Sequence, residues 1–153
     1  MNDATYNTAV GNTAMSSLTD GDSNVAIGSA ALNGLTDGDD NVAVGTNSGG
    51  ALTTGHRNIL IGKQSGDAMT DEDDVVLIGH NAGIALTHTN SNGTVAIGSG
   101  ALAVLESGRG NIAIGYQALD AEDDGDYNTA VGYQALTAQT GVSGTVGNTA
   151  VGY

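Results

Sequence analysis

The five residues Asn24-Val25-Ala26-Ile27-Gly28 form a sequence motif, the repeat word, that recurs along the whole chain at an almost constant spacing. Nine copies follow the pattern Asn-x-Ala-Val/Ile-Gly, although single positions differ between copies. Six of the eight intervals between the closing glycines are 17 residues long, and the other two are 19 and 20. These repeat glycines are Gly11, Gly28, Gly45, Gly62, Gly79, Gly98, Gly115, Gly132 and Gly152. Such a register predicts one repeat domain over residues 1–153.

Alternation within the word indicates a short strand. The residue before every repeat glycine is Val or Ile, and β-branched side chains suit a pleated strand. We expect this column to form the structural core of the repeat, and its members are Val10, Ile27, Val44, Ile61, Ile78, Ile97, Ile114, Val131 and Val151. The residue before that column is Ala or Leu, which the period of two directs to the opposite face. We therefore expect the small side chains to point outward and to need a cover.

The glycines and the Asp-Gly turns leave no room for a ten-residue helix in each unit. The sequence instead predicts an all-β fold, a parallel β-solenoid or β-roll of nine coils of about 17 residues. At ~4.8 Å per coil the rod would be about 43 Å long. Self-association along the rod would cover the outward Ala column, so we predict a parallel homotrimer, with a single-chain solenoid as the alternative.

Two further columns are read as structural. Seven of the nine words begin with Asn, which predicts a ladder of stacked amides. The recurring glycines predict a corner of the backbone at each repeat. Three units carry Gly four residues after the repeat glycine, namely Gly49, Gly66 and Gly83. In these units Leu or Met stands at the seventh position, and we interpret the pair as one core volume filled from either position.

Composition excludes several functions. Seventeen Asp and Glu oppose three Lys and Arg, and the net charge of −14 disfavours binding to nucleic-acid phosphates and to anionic lipid. The chain has no Cys, which excludes disulfides and thiolate metal sites. No apolar run approaches the ~18 residues of a membrane span, so no membrane insertion is expected. No Ser-His-Asp or Cys-His arrangement is visible, so we predict no catalytic residues and no enzyme.

Three acidic turns read Asp-Gly-Asp-x-Asn and could bind Ca²⁺ through oxygens at alternate positions. These candidate calcium triads are Asp20, Asp22 and Asn24; Asp37, Asp39 and Asn41; and Asp124, Asp126 and Asn128. The second interpretation is a set of solvated turns, because Asp-Gly is good turn chemistry and the Asn belongs to the repeat. Calcium is the only cofactor that the sequence suggests, and both interpretations stay open.

The residue after each repeat glycine varies and is mostly polar, which indicates an exposed column. Its last three members are Tyr116, Tyr133 and Tyr153. A Tyr ladder could bind a surface by stacking on sugar rings or by packing against a neighbouring fibre element. The alternative is that Tyr simply belongs to the repeat word.

Two longer phrases carry a family resemblance. GYQAL, at residues 115–119 and 132–136, and NTAVGY, at residues 128–133 and 148–153, resemble the 17-residue repeats of phage and prophage tail-fibre proteins. NVAIG and NIAIG also resemble the head repeats of YadA-like trimeric autotransporter adhesins, which form trimeric left-handed parallel β-rolls.

The resemblance implies a structural and adhesive segment of a trimeric fibre, extracellular or on a virion. Its partners would be identical chains, adjacent fibre segments, and a glycan or protein of the host cell surface. Two alternatives remain: the head of a bacterial trimeric autotransporter adhesin on the bacterial cell surface, and a Ca²⁺-stabilised ligand-binding solenoid.

Overall fold

The computed structural model describes residues 4–87, 91–139, 144–145 and 147–153. Over these residues the chain is an all-β parallel solenoid of about eight turns, and one parallel sheet of nine strands runs along it. The strands of that sheet are β1 (Thr8–Val10), β2 (Val25–Ile27), β3 (Val42–Val44), β4 (Ile59–Ile61), β5 (Val76–Ile78), β6 (Val95–Ile97), β7 (Ile112–Ile114), β9 (Thr129–Val131) and β11 (Thr149–Val151). Two short strands, β8 (Gly125–Asp126) and β10 (Gly144–Thr145), pair separately.

Successive repeat words pair in register. Ala26 lies opposite Ala43, and Ala43 lies opposite Leu60 on its other side. The register survives the 20-residue interval, where Ala150 still pairs with Ala130. The predicted all-β parallel solenoid is therefore confirmed, and the nine repeat words supply the nine strands of its sheet. None of the described segments forms a helix long and apolar enough to cross a membrane.

The repeat glycines form the corner that the sequence predicts. Gly28 has a φ of +139°, and a Cβ added there would lie 2.5 Å from the carbonyl oxygen of Gly45 in the next coil. The same φ and the same close approach recur at Gly45, whose own Cβ would meet Gly62. Successive coils thus cross backbone against backbone at this corner, and a side chain does not fit.

The orientation predicted for the strand is wrong. The middle residue points into the coil, and Ala26, Ala43 and Leu60 are fully buried. The predicted structural core points outward instead, with Ile27 41% and Ile61 37% exposed. Its nine members are all exposed or half-buried: Val10, Ile27, Val44, Ile61, Ile78, Ile97, Ile114, Val131 and Val151. The coil is thin, and the leucines of its turns already fill the interior, so mostly Ala fits beneath the strand.

The exchange of volume in the core involves the facing strand in addition to the predicted seventh position. A Cβ at Gly49 would lie 2.6 Å from Leu60 Cδ1, and one at Gly66 would lie 2.9 Å from Leu77 Cδ1. Coils with Gly at this turn position are therefore filled from the middle of the facing strand, where Leu replaces Ala. The seventh position lines the same volume, since a Cβ at Gly66 would lie 2.5 Å from Met69 Sδ and one at Gly83 would lie 2.8 Å from Leu86 Cδ1, but it holds Leu in ordinary coils as well, as at Leu35.

Candidate functional site

The most extensive candidate surface is the outward sheet face, which comprises the first and third residues of each strand in the large sheet. All its positions are Val or Ile except three Thr, and none is charged. Its members are Thr8, Val10, Val25, Ile27, Val42, Val44, Ile59, Ile61, Val76, Ile78, Val95, Ile97, Ile112, Ile114, Thr129, Val131, Thr149 and Val151. Each is exposed or half-buried. The sheet thus presents a continuous apolar stripe two side chains wide.

A buried amide ladder runs beside the sheet. The backbone N–H of Asn41 donates to Asn24 Oδ1 at 2.9 Å, and that of Asn58 donates to Asn41 Oδ1 at 3.0 Å. Five amide nitrogens donate to a carbonyl of the next coil, as Asn41 Nδ2 does to Gly55 at 2.7 Å, whereas Asn128 Nδ2 has no partner among the described residues. The predicted Asn ladder is confirmed, and it satisfies backbone groups that would otherwise be buried without partners.

The aspartates at the centre of the acidic turns have a second structural role. Asp22 Oδ1 accepts hydrogen bonds from the backbone N–H of Thr5 at 2.6 Å and from its hydroxyl at 2.8 Å, and these bonds lower the pKa of Asp22. Asp39 Oδ1 likewise accepts from the backbone N–H of Asp22, and Asp126 Oδ1 from that of Arg109. One carboxylate in each acidic turn therefore caps the preceding coil.

The structure does not assemble the candidate calcium triads. The amides of Asn24, Asn41 and Asn128 are fully buried, and their oxygens accept hydrogen bonds from the next Asn of the ladder. Asp20 and Asp37 are exposed on the other side of the turn. The sequence alone does not show whether each Asn belongs to the amide ladder or to a calcium triad, because both arrangements use the same residue.

Asp124 lies in a different cluster, with Glu122 and Asp123, whose carboxylate oxygens are within 4.8 Å of one another. Sequence reasoning did not find this group, because Glu122 occupies the seventh-position column that carries Leu or Met in the earlier coils. Glu122 is fully buried and both its oxygens are used: Gly125 N–H donates to Oε1 and Gln139 Nε2 to Oε2, each at 2.7 Å. The carboxylate thus completes local hydrogen bonding where the apolar column ends.

A further buried carboxylate, Glu72, was not among the predicted site residues. Its Oε2 accepts from the backbone N–H groups of Thr70 at 2.7 Å and Asp71 at 3.0 Å, while Oε1 has no partner among the described residues. Burial raises the pKa of Glu72. Close by on the surface, Arg57 binds Asp74 through two nitrogens at 2.6 and 2.9 Å, and this pairing lowers the pKa of Asp74.

The tyrosine column forms a stack. The ring centroids of Tyr116 and Tyr133 are 5.1 Å apart with planes inclined by 17°, and those of Tyr133 and Tyr153 are 5.5 Å apart and inclined by 3°. Inside the stack the ring faces cover one another. A sugar or protein could therefore reach the ring edges and hydroxyls, together with the two end faces, but not the faces in between.

A shallow groove of about 260 Å³ lies on the turns of the second to fifth coils. Its polar groups are the side chains of Asn33, Asn47 and Asp67, and its floor is made by small residues such as Gly50. The groove offers hydrogen-bonding groups without aromatic walls, which is a second place where a polar ligand could bind.

No protein-family model matches the chain, and neither a curated protein nor a solved structure matches it.

Proposed function

We propose that this chain is a structural and adhesive segment of a homotrimeric fibre of the tail-fibre type, extracellular or on a virion, that contacts a host cell surface. The observation that carries the proposal is the outward sheet face. Val and Ile occupy this face along the rod except at Thr8, Thr129 and Thr149, and contiguous exposed apolar surface of this kind marks interaction sites in soluble proteins.

A second copy of the chain is the partner that best fits this face. Identical chains aligned in parallel present stripes of the same length and flatness, so Val and Ile meet Val and Ile along the whole rod. The acidic turns contain most of the charge, and none of it lies in the stripe. Burial of the stripe therefore requires no desolvation of a charged side chain, which is the usual obstacle to association of an acidic protein.

Contact with a host glycan or protein would use the remaining exposed features. The tyrosine stack presents edges and hydroxyls, with Tyr116 45% and Tyr133 50% exposed, and the groove presents amide and carboxylate groups. The same apolar face and the same exposed features would serve the head of a bacterial trimeric autotransporter adhesin, and the genes next to this one would distinguish the two settings.

Analytical ultracentrifugation of the whole chain tests the association. We expect a species of three times 15.0 kDa, and we expect the charged double variant Ile27→Asp/Ile61→Asp to sediment as a monomer with an unchanged circular dichroism spectrum. The matched control is Val104→Asp, because Val104 is 48% exposed but lies outside the sheet. A wild-type chain that stays monomeric at all concentrations contradicts the proposal.

Attachment is tested separately. The variant Tyr116→Ala/Tyr133→Ala should reduce binding of the fibre to host cells, whereas Tyr127→Ala should not, because Tyr127 is equally exposed but lies outside the stack. If both variants attach equally well, the tyrosine stack is not part of the adhesive surface, and the proposed role as a fibre segment is unaffected.

A further inference from the structure

The Asn ladder is coupled to a column of buried glycines. In regular coils the Asn side chain lies over the glycine three residues before it, so that a Cβ at Gly38 would be 3.1 Å from Asn41 Nδ2. A Cβ at Gly55 would be equally close to Asn58 Nδ2. The closest neighbour is the next coil, since the same Cβ at Gly38 would lie against the carbonyl oxygen of Gly55, and this crowding favours Gly beside the amide.

Two successive coils break both halves of this pair together. Val75 and Thr94 stand in the Asn column, and Glu72 and Ser91 stand in the glycine column at the matching positions. The two coils stack in register here, since the backbone N–H of Asp73 donates to Asn92 Oδ1 at 2.9 Å. Glu72 and Ser91 therefore occupy matching positions of neighbouring coils, where the regular coils have glycine.

One side-chain oxygen of each residue that this exchange introduces has no partner among the described residues. Glu72 and Ser91 are both fully buried, and neither Glu72 Oε1 nor Ser91 Oγ has a hydrogen-bond partner among the described residues. A buried polar atom without a partner costs about 1–3 kcal/mol, and more when it is charged. Two such oxygens in neighbouring coils leave hydrogen-bonding and charge requirements that a species bound between the coils would satisfy.

The local charge favours a cation as that species. Glu72 lies within the acidic run Asp71–Asp74. Arg57 is held by Asp74 and lies 3.9 Å from Asp73, and none of the ion pairs among the described residues involves Glu72. An all-oxygen environment of high negative charge is the type that Ca²⁺ prefers.

We propose that Glu72 and Ser91 hold a hard divalent cation of the Ca²⁺ type between two coils. This site is distinct from the candidate calcium triads, whose Asn oxygens are occupied by the ladder. It fastens the solenoid at the point where the ladder is interrupted, so the ion replaces the cross-coil contacts that the missing amides supply elsewhere.

Calorimetry and thermal melting of the full chain with Ca²⁺ alone, at constant ionic strength, test the site. We expect one binding event per chain with a dissociation constant in the range of about 0.01–1 mM, and a melting temperature that rises with Ca²⁺ and falls with chelator. Glu72→Gln should abolish the Ca²⁺-dependent rise, and Ser91→Ala should weaken binding about tenfold. Glu106→Gln is the matched control, since Glu106 is exposed, and it should respond as the wild type does.

A double variant with the residues of a regular coil distinguishes loss of Ca²⁺ binding from failure to fold. Glu72→Gly/Val75→Asn restores the arrangement of the regular coils, and it should fold and melt independently of Ca²⁺. No heat of binding, or equal melting of the wild type in Ca²⁺ and chelator, would overturn the proposal and indicate a site completed by water alone. A Ca²⁺ response that Glu72→Gln retains but Asp20→Asn/Asp37→Asn loses would overturn it in favour of the acidic turns.

Discussion

The coil that ends at Gly45 and the coil that ends at Gly79 have the same backbone arrangement, but they bury different polar side chains. In the first, Asn41 lies beside Gly38, and the amide uses both its nitrogen and its oxygen within the ladder. In the second, Val75 ends the ladder and Glu72 brings a buried carboxylate into the space. The comparison teaches that the fold depends on the corner and the register, while the polar interior can be rebuilt locally if both members of a pair change together.

The largest effect is expected where the two coils are identical, at the corner. Gly45→Ala should cost at least about 3 kcal/mol in the free energy of unfolding, because the added Cβ would lie 2.5 Å from Gly62 O at a φ of +138°. Chemical denaturation measures the loss. Gly93→Ala is the control, since nothing lies within 4 Å of its Cβ, and it should cost about 1 kcal/mol. Equal losses at both positions would mean that coil-to-coil crowding is not what demands glycine.

The next effect separates the two interiors. Asn41→Ala removes four ladder hydrogen bonds and should cost about 2–4 kcal/mol, because the backbone N–H of Asn58 and the carbonyl of Gly55 lose their buried partner. Val75→Ala, at the same place in the interrupted coil, removes apolar contacts only and should cost about 1–2 kcal/mol. Urea denaturation measures the loss in free energy of unfolding for each variant. A larger loss for Val75→Ala than for Asn41→Ala would contradict the expected order.

A double-mutant cycle then tests whether the core volumes are coupled. Leu60→Ala should cost about 2–4 kcal/mol through the cavity it leaves. Gly49→Leu should also destabilise, since a side chain there meets Leu60. The double variant recreates the arrangement of Leu32 beside Ala43 and should recover about 1–3 kcal/mol of the summed loss. Simple additivity in denaturation experiments would show that the two positions do not share one volume.

The smallest effect is expected at the surface pair of Arg57 and Asp74. The pairing lowers the pKa of Asp74, so its contribution to stability is present above the ordinary pKa of 3.8 and is lost as the pH falls through the lowered value. Arg57→Ala should therefore melt slightly below the wild type at pH 7, and the two melting curves should converge in acid. A difference that grows on acidification would show that another group is responsible.

Much of the fold follows from the repeat word alone. The spacing of the glycines defines the coils, and β-branched residues at one position indicate a strand. What cannot be read is which face of a strand with two apolar faces points inward. Ala26 is buried and Ile27 exposed because the volume inside the coil is already taken by Leu32 and Leu35, which is a property of the closed coil and not of the word.

The candidate sites also divide into those that the sequence predicts and those that it does not. The stack of Tyr116, Tyr133 and Tyr153 follows directly from the constant register, because identical positions of successive coils lie above one another. Glu72 was not identified, because an acidic residue in an acidic turn gives no sign of burial. The one available signal was the simultaneous loss of Asn and Gly from their columns, at Val75 and Glu72, and its meaning depends on knowing that both columns are buried side by side.

Disulfide trapping at the outward sheet face tests the central claim most directly, because the chain contains no native Cys. If three parallel copies meet through this face, Ile27→Cys should cross-link to the same residue of another copy on mild oxidation, and Val104→Cys should not. Absence of cross-links at Ile27→Cys would contradict the account. So would cross-links that form only when Ile27→Cys is mixed with Ile114→Cys, since these would show that the copies run antiparallel.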